Sequence, residues 1–393
     1  MIKDRVVMLR SGRQGTVMPG HPWLYARQFL KPDPRLKGGD IVAVKRGDGT
    51  ILGTGYYNPK SEIIVRLLAF EDVVPDQEFF NARMSRAIEK RRALPAKTNA
   101  YRAVFSEADG LPGLIVDVYN DTAVVQILTL GMERLEGFVI AAIRATLAPK
   151  YIYEKSDSPY RKIEGLKDAR GWWGEAGSTM IEISEAKAKF IVDIEHGHKT
   201  GFYLDQRNAR LALHTICKGK RVLDLFSYTG AFAIQALLSG AVEAVGVDIK
   251  EEWLERARQN AQLNSVSDRA SFIKADAFDY VKKIAAEGGL FDIIIVDPPS
   301  FLKARHALVM ASKGYKELNL AALKILKPGG VLATFSCSHN MPNAVFAGVL
   351  KEACREAGRK SQILKRCHQA EDHPIVRAIP ETEYLKGYFL RID

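Results

Sequence analysis

The chain has no apolar run approaching the ~20 residues that a membrane-spanning helix requires. Its opening stretch, "MIKDRVVMLRSGRQG", is too polar for the hydrophobic segment of a secretory signal. Both features point to a cytoplasmic protein with no membrane partner. Cysteine is scarce, with four among 393 residues: Cys217, Cys337, Cys354 and Cys367. None forms a CxxC pair or a metal-ligand spacing, so no metal is expected. In a reducing compartment all four should be free thiols. Acid is sparse at the amino-terminal end: the first 70 positions hold 5 Asp and Glu against 12 Lys and Arg, in a chain of net charge +11. A basic module of this kind suits a polyanion such as nucleic acid, the plain alternative being a solvated basic surface.

What is present divides into three segments. Residues 1–72 read as a small all-β barrel, because "DIVAVKR", "ILGTGYY" and "EIIVRLLAF" are short strands punctuated by Gly-Asp-Gly and Asn-Pro turns. Within it, "GHPWLYARQF" sets Trp23 near Arg27, a pair suited to stacking on unpaired bases. Barrel core is the other reading of Trp23. Residues 73–188 read as an α+β domain. It begins with a helix in "DQEFFNARMSRAIEKRRALP" that stops at Pro95. Strands follow in "YRAVFSEADGLPGLIVDVYNDTAVVQIL", then a helix near 133–147 and a strand at 151–154. In residues 189–393 strands and helices alternate: "RVLDLF", "EAVGVDI", "SFIKAD", "FDIIIVDPP" and "GVLATFS" are continuous apolar strands with helices between them. That alternation predicts a Rossmann-like, doubly wound α/β sheet whose ligands bind beyond the carboxyl ends of its strands.

The first of these strands runs into Asp224-Leu225-Phe226-Ser227-Tyr228-Thr229-Gly230. A dinucleotide fold needs GxGxxG here, so that backbone amides reach a pyrophosphate. This turn has one glycine and an acid, which would repel a pyrophosphate and attract a cation. S-adenosylmethionine carries a sulfonium and an ammonium and is the better fit. Asp248 ends the second strand, where an acid accepts from both ribose hydroxyls. Asp276 ends the third and suits the adenine amino group, with Ala277 beside it and Phe278 or Ile249 covering the ring; helix capping is the alternative for Asp276. "HKTGFYLDQRNAR" precedes the first strand. Its Lys199, Thr200, Phe202, Tyr203, Asp205 and Arg207 are candidates to cap the methionine end of the cofactor, or Asp205 caps a helix.

The fourth strand closes in "FDIIIVDPPSF". Prolines lack N–H groups, so Pro298 and Pro299 end a buried strand without orphaned donors and stiffen the loop after it. Asp297 and Ser300 thereby enter the reaction zone on a rigid support, and Phe301 is placed to lie against a planar base. Loops of this Asp-Pro-Pro-aromatic kind serve methyl transfer to an exocyclic nitrogen in many enzymes, so the loop leaves the target atom open. Cys337 narrows it. In "LKPGGVLATFSCSHN" the thiol follows the fifth strand at the same sheet edge as Asp297. Carbon 5 of a pyrimidine becomes nucleophilic once a thiolate has added to carbon 6, a role nitrogen methylation does not need. A small buried hydrophobe is the alternative for this cysteine.

Taken together, "GHPWLY", "SEADGLPGLIVDVY", "KTGFYLDQR", "VLDLFSYTGAFA", "VDPPSF", "KGYKELN" and "FSCSHN" resemble the PUA-domain-containing cytosine-5 methyltransferases of bacterial large-subunit ribosomal RNA. The resemblance spans nearly the whole chain. It implies an N-terminal PUA RNA-binding domain, a central α+β domain and a class I methyltransferase domain, with ribosomal RNA as partner and 5-methylcytosine as product. It also implies Cys337 as nucleophile, and Asp224, Asp248, Asp276, Asp297 and the "FSYTG" loop as cofactor positions. Pro298, Ser300, Phe301, Arg27 and Trp23 are the expected substrate contacts. The "DPPSF" loop has no cysteine, whereas the two-cysteine RNA cytosine methyltransferases use one there to expel the product; another group must do that here, and the general base is unassigned. Methylation of a base nitrogen, and an assembly factor that holds the cofactor without turnover, are the competing readings. A homodimer is compatible with the sequence but not specified by it.

Overall fold

β-branched residues alternating with small ones build the first sheet. Its strands are β1 (Val6–Met8), β2 (Trp23–Tyr25), β3 (Ile41–Lys45), β4 (Ile51–Tyr57) and β5 (Ile63–Ala69), ordered β1-β3-β4-β5-β2. An antiparallel bridge between Leu9 and Phe29 joins the two outer strands and closes the expected barrel. Val7, Leu24, Val42, Val44, Val65 and Leu67 fill its interior. The computed structural model describes residues 5–10, 19–94, 96–301 and 308–393.

Helix α1 (Gln77–Glu89) starts where the Asp76 carboxylate accepts the Phe79 N–H, and it buries Phe80, Met84 and Ala87. It ends earlier than expected, and Pro95 lies outside the described residues. Just past its end, the buried Arg91 guanidinium donates back to the Ala87 carbonyl and to Asp109. The second sheet holds β6 (Ala100–Phe105), β7 (Leu114–Tyr119), β8 (Thr122–Ile127), β9 (Tyr151–Ser156) and β10 (Ala169–Trp172), ordered β10-β9-β8-β7-β6. Its β8–β9 pair is parallel, crossed by helices α2 (Leu130–Arg134) and α3 (Glu136–Thr146). The sequence suggested one helix here; the backbone breaks at Leu135, which leaves the helical region at φ −104°, ψ 9°. A short helix α4 (Tyr160–Ile163) and a hairpin of β11 (Met180–Glu185) and β12 (Ala188–Asp193) follow.

The chain divides into two compact units. Unit 1 comprises residues 1–183, 192–204 and 371–382; unit 2 comprises 184–191, 205–370 and 383–393. The expected N-terminal domains thus fall in unit 1 up to residue 183, residues 184–188 belong to unit 2, and the expected boundary at 188/189 lies inside β12.

Unit 2 is built on a seven-stranded sheet. It contains α5 (Arg207–Ala212), β13 (Arg221–Leu225), α6 (Ala231–Leu238), β14 (Glu243–Asp248), α7 (Glu251–Leu263), β15 (Ala270–Lys274) and α8 (Ala277–Ala286). Then come β16 (Phe291–Val296), α9 (Leu308–Lys324), β17 (Leu326–Ser336), α10 (Asn343–Glu356), β18 (Ser361–Cys367) and β19 (Lys386–Ile392). The strand order is β15-β14-β13-β16-β17-β19-β18, with β19 antiparallel to both neighbours and the first five strands parallel. This is the doubly wound α/β sheet that the alternation indicated. Ile293, Ile294, Ile295 and Val296 are buried, as strands covered on both faces must be. "KPGG" does not turn freely before β17: it forms an irregularity inside it, where the pairing with β16 jumps from Leu326 to Val331. The chain's strand order reverses direction at β13, between β14 and β16, which is where such sheets open a ligand crevice. No helix among the described residues is long and apolar enough to cross a membrane.

Candidate active site

At the carboxyl end of β13, Asp224 pairs in register with Gly246 of β14 and Ile295 of β16. Its carboxylate is 1% exposed; Oδ2 accepts the Ala233 N–H at 3.1 Å, and Oδ1 has no hydrogen-bond partner among the described residues. Burial pushes its pKa well above 3.8; the Ala233 N–H works against that shift, and the charges of Asp297 and Asp248 add to it. The loop after it is held in an unusual backbone: Phe226 (φ 64°), Tyr228 (φ 49°) and Gly230 (φ 77°) are all left-handed. Ser227 Oγ and Thr229 Oγ1 are buried there without partners among the described residues. A cluster of unpartnered buried oxygens with excess negative charge is costly in isolation. A ligand with cationic and donor groups relieves it, and S-adenosylmethionine, with its ammonium and sulfonium, is such a ligand.

Asp248 is fixed at the end of β14, accepting the Tyr228 N–H on Oδ2 (3.0 Å) and the Lys250 N–H on Oδ1 (3.1 Å). Each oxygen keeps a lone pair for a ribose hydroxyl. Ile249, next to it, is 65% exposed, an apolar side chain left open at a strand end. Asp276 is the N-cap of α8: Oδ1 accepts from Phe278 N (2.9 Å) and Asp279 N (3.3 Å). The capping alternative is thus real, and it engages one of the two carboxylate oxygens. Ala277 is buried and Phe278 half-buried against the unit's core.

The β16 and β17 ends bring the second set of residues together. The two strands run parallel with Val296 opposite Thr334, so Asp297 and Cys337 leave the sheet at one edge. Asp297 accepts the Gln206 amide at 3.0 Å. Pro298 is buried, and the Ser300 hydroxyl lies 2.7 Å from that of Ser338. Phe301 meets the Tyr315 ring edge-on at 4.8 Å. Cys337 is half-buried, whereas Cys217, Cys354 and Cys367 are buried. Burial pushes the Cys217 thiol up to about 12 and the Cys367 thiol up to about 11. The serines flanking Cys337 are anchored: Ser336 donates to the Tyr315 hydroxyl at 2.9 Å, and Ser338 is held by Ser300. Lys386 of β19 donates to the Ser338 carbonyl (2.6 Å) and the Tyr384 carbonyl (2.8 Å). The Tyr384 hydroxyl in turn donates to Asp205 at 2.6 Å.

Several of the sequence candidates have other partners. Thr200 and Phe202 are buried in unit 1, where the Thr200 hydroxyl donates to Asp117 and the Phe202 N–H to the Tyr119 hydroxyl. The Lys199 ammonium lies 4.5 Å over the Tyr203 ring. Arg207 is 3% exposed, its Nε 3.9 Å from Glu185, which forms a closer pair with Arg210. Trp23 is neither free surface nor sealed core: its indole N–H donates to Glu107 at 2.9 Å while the ring stays half-exposed. Arg27 is exposed, 5.9 Å from the Tyr25 ring centre. Gln206, Tyr315, Ser338, Tyr384 and Lys386 are not among the sequence candidates; the first three lie inside motifs quoted for the resemblance, while the β18–β19 pair leaves no pattern in the sequence.

Comparison with known proteins accords with this geometry. Residues 146–388 match a family model described as S-adenosylmethionine-dependent methyltransferase, and residues 7–70 match a PUA-like domain. The chain is 40% identical over 390 residues to the ribosomal RNA large subunit methyltransferase I of Aeromonas salmonicida, covering 98% of each. It is 39% identical over 391 residues to the protein of that name from Pseudoalteromonas translucida, covering 98% of this chain and 99% of the relative. Among solved structures, a putative SAM-dependent methyltransferase from Streptococcus mutans superposes with a TM-score of 0.84 at 24% identity, over 98% of this chain and 99% of that one. A second structure, a putative methyltransferase complexed with SAH, gives the same values and the same fold. The chain belongs to the S-adenosylmethionine-dependent methyltransferase family, carries a PUA-like domain at its amino-terminal end, and uses S-adenosylmethionine as its cofactor.

Proposed function

We propose that the protein methylates carbon 5 of a cytosine in large-subunit ribosomal RNA through a transient bond between Cys337 and carbon 6. The observation that carries this reading is the position of Cys337. It is a half-buried thiol one residue past the end of β17, beside the strand end that bears Asp297. The relatives named for ribosomal RNA, the PUA-like match and the basic first 70 residues support the RNA substrate, which is met in the cytoplasm.

The Cys337 thiolate adds to carbon 6 and its electron pair moves onto carbon 5. S-adenosylmethionine supplies the electrophilic methyl, whose bonding pair stays on sulfur as carbon 5 takes the carbon. A base then removes the carbon 5 proton, the electrons expel the thiolate from carbon 6, and the ring is restored with methyl in place of hydrogen. Asp224 is the partner for cofactor positive charge, Asp248 for the ribose hydroxyls, and Asp276, through its second oxygen, for the adenine amino group. Ile249 and Phe278 cover the ring. The bonds of Thr200, Asp205 and Arg207 within the protein favour a framing role for the 199–207 segment. Asp297, steadied by Gln206, and the stiff Pro298–Phe301 loop orient the base.

The test is Cys337→Ala. It should bind S-adenosylhomocysteine normally, incorporate no methyl into RNA from cells lacking the protein, and form no adduct with 5-fluorocytosine RNA, which traps the wild type. Normal turnover by the variant would end the covalent reading. A methyl recovered on a base nitrogen would move the chemistry to the Asp297 loop.

A further inference from the structure

We infer that Lys386 is a positioning residue for Cys337, its ammonium being the counter-ion that holds the thiol as a thiolate. This rests on Cys337 being the nucleophile, and deepens that reading by naming what activates it.

Lys386 begins β19, opposite Ser336 in the antiparallel pairing with β17. That register sets its side chain beside the strand end where the thiol stands. The residue is 4% exposed, and its ammonium donates to two backbone carbonyls, those of Ser338 and Tyr384. Carbonyl oxygens solvate an ammonium but do not neutralise it. Among the described residues no carboxylate lies within ion-pair distance of Lys386. A buried charge without a counter-charge is expensive, and proteins seldom retain one that has no task. The anion that the site can generate is the Cys337 thiolate: its charge acts on Lys386 more strongly than that of Glu383, the other group that favours the ammonium. Attraction is mutual, so a cation favoured by the thiolate lowers the pKa of the thiol by the same interaction.

The other groups facing this pocket do not replace it. Tyr315, from α9, feels both Cys337 and Asp297, and burial raises its own pKa, so its hydroxyl stays neutral while accepting from Ser336. The charge of Asp297 acts to raise the Tyr315 pKa and would oppose a thiolate rather than favour it. Asp205 is engaged by the Tyr384 hydroxyl, and His339 packs against the Tyr384 ring at 5.1 Å. Burial brings Lys386 down to about 8, still mostly protonated at neutral pH. The ammonium is therefore available as a counter-ion in the physiological range. Once carbon 6 has taken the thiol's electron pair the ion pair is gone; when the product leaves it forms again. Lys386 thus helps both the attack and the final expulsion of the thiolate.

The test is the pH dependence of iodoacetamide alkylation at Cys337, followed by mass spectrometry in the full-length protein. In the wild type the midpoint should lie below the ordinary thiol value of ~8.5. Lys386→Gln should move it upward, slowing alkylation near pH 7 about tenfold for every pH unit by which the midpoint rises. Lys386→Arg should restore most of the rate, and S-adenosylhomocysteine binding should be unchanged in both. A wild-type midpoint at or above ~8.5 overturns the proposal even if no variant folds, as does a Lys386→Gln profile that overlays the wild type. A low midpoint with Cys337→Ala still active would keep the ion pair and remove the covalent mechanism, so the two claims fail separately.

Discussion

The Ser300 and Ser338 hydroxyls lie 2.7 Å apart and join the loop that follows β16 to the residue that follows Cys337. The segments that follow Asp297 and Cys337 are thereby locked to one another by a pair of small polar groups. Ser338 is 1% exposed, so its hydroxyl depends on protein partners. Ser338→Ala should cost about 1–3 kcal/mol, since it leaves buried groups short of a partner. Its larger effect should fall on kcat, because Cys337 and the Asp297 loop lose their common anchor while Asp224 and Asp248 sit on other strands. Urea unfolding and steady-state kinetics beside calorimetric S-adenosylhomocysteine binding check this. A loss of cofactor affinity equal to the loss of kcat would refute the division of labour.

Asp224 yields a prediction in which stability and function oppose one another. Its folded pKa is raised well above 3.8 by burial, so its contribution to stability is complete below pH ~3.8 and is lost as pH rises through the raised value. At neutral pH the cofactor-free protein therefore holds a strained carboxyl. Asp224→Asn should raise the melting temperature of the cofactor-free protein at pH 7, with the gain shrinking toward zero as the pH falls to ~4. The same variant should weaken cofactor binding, because the cation loses its counter-charge. Wild-type binding should tighten with rising pH and release a proton, which calorimetry in buffers of different ionisation enthalpy detects. A variant less stable than wild type at pH 7 would contradict the argument.

Gly230 closes the strained loop at φ +77°, and a Cβ there would stand 2.8 Å from the Phe272 ring and 3.0 Å from the Ala257 side chain. Gly230→Ala should cost about 1–2 kcal/mol for the left-handed backbone and a further 1–3 kcal/mol for the crowding. Adding Phe272→Leu should recover part of the second cost and none of the first. Denaturant midpoints of the two single variants and the double variant separate them. Purely additive losses would show that the ring is not what the new methyl meets.

The parts of this molecule that were legible in the sequence are those set by local pattern. Continuous apolar strands ending in Asp224, Asp248, Asp276 and Asp297 announce a parallel sheet and its ligand edge, because burial on both faces leaves no polar alternation. The opposite holds for β18, whose residues Ser361 to Arg366 are exposed: it has no buried face to write a pattern. Missing that strand concealed β19, and with it Lys386. Glu107 on the Trp23 indole, and Asp117 on the Thr200 hydroxyl, are contacts between residues more than eighty positions apart. Spacing cannot reveal such pairs, and residues that read as ligand-facing turned out to have protein partners. Asp276 shows the intermediate case: both the cap and the strand-end acid were legible, and one carboxylate serves the first with an oxygen left for the second.

The amino-terminal module offers the last prediction. Arg27, Lys31, Lys37, Arg46 and Lys60 are exposed and form no ion pair among the described residues, whereas Arg35 is tied to Asp33 and Arg5 to Asp40. Unpaired exposed cations are those that release counter-ions when they meet phosphates. Replacing Lys31, Arg46 and Lys60 by Glu should weaken RNA binding across sequences and flatten its salt dependence, the slope falling by roughly one for each phosphate that the protein no longer neutralises. Cofactor affinity should not change, because all three residues lie in unit 1 and the Asp224, Asp248 and Asp276 strand ends in unit 2. The same substitution at Arg35 should do less, since its charge is already matched. Filter binding of ribosomal RNA at graded potassium chloride measures these slopes, and an unaltered slope in the triple variant would remove these three cations from the RNA contact.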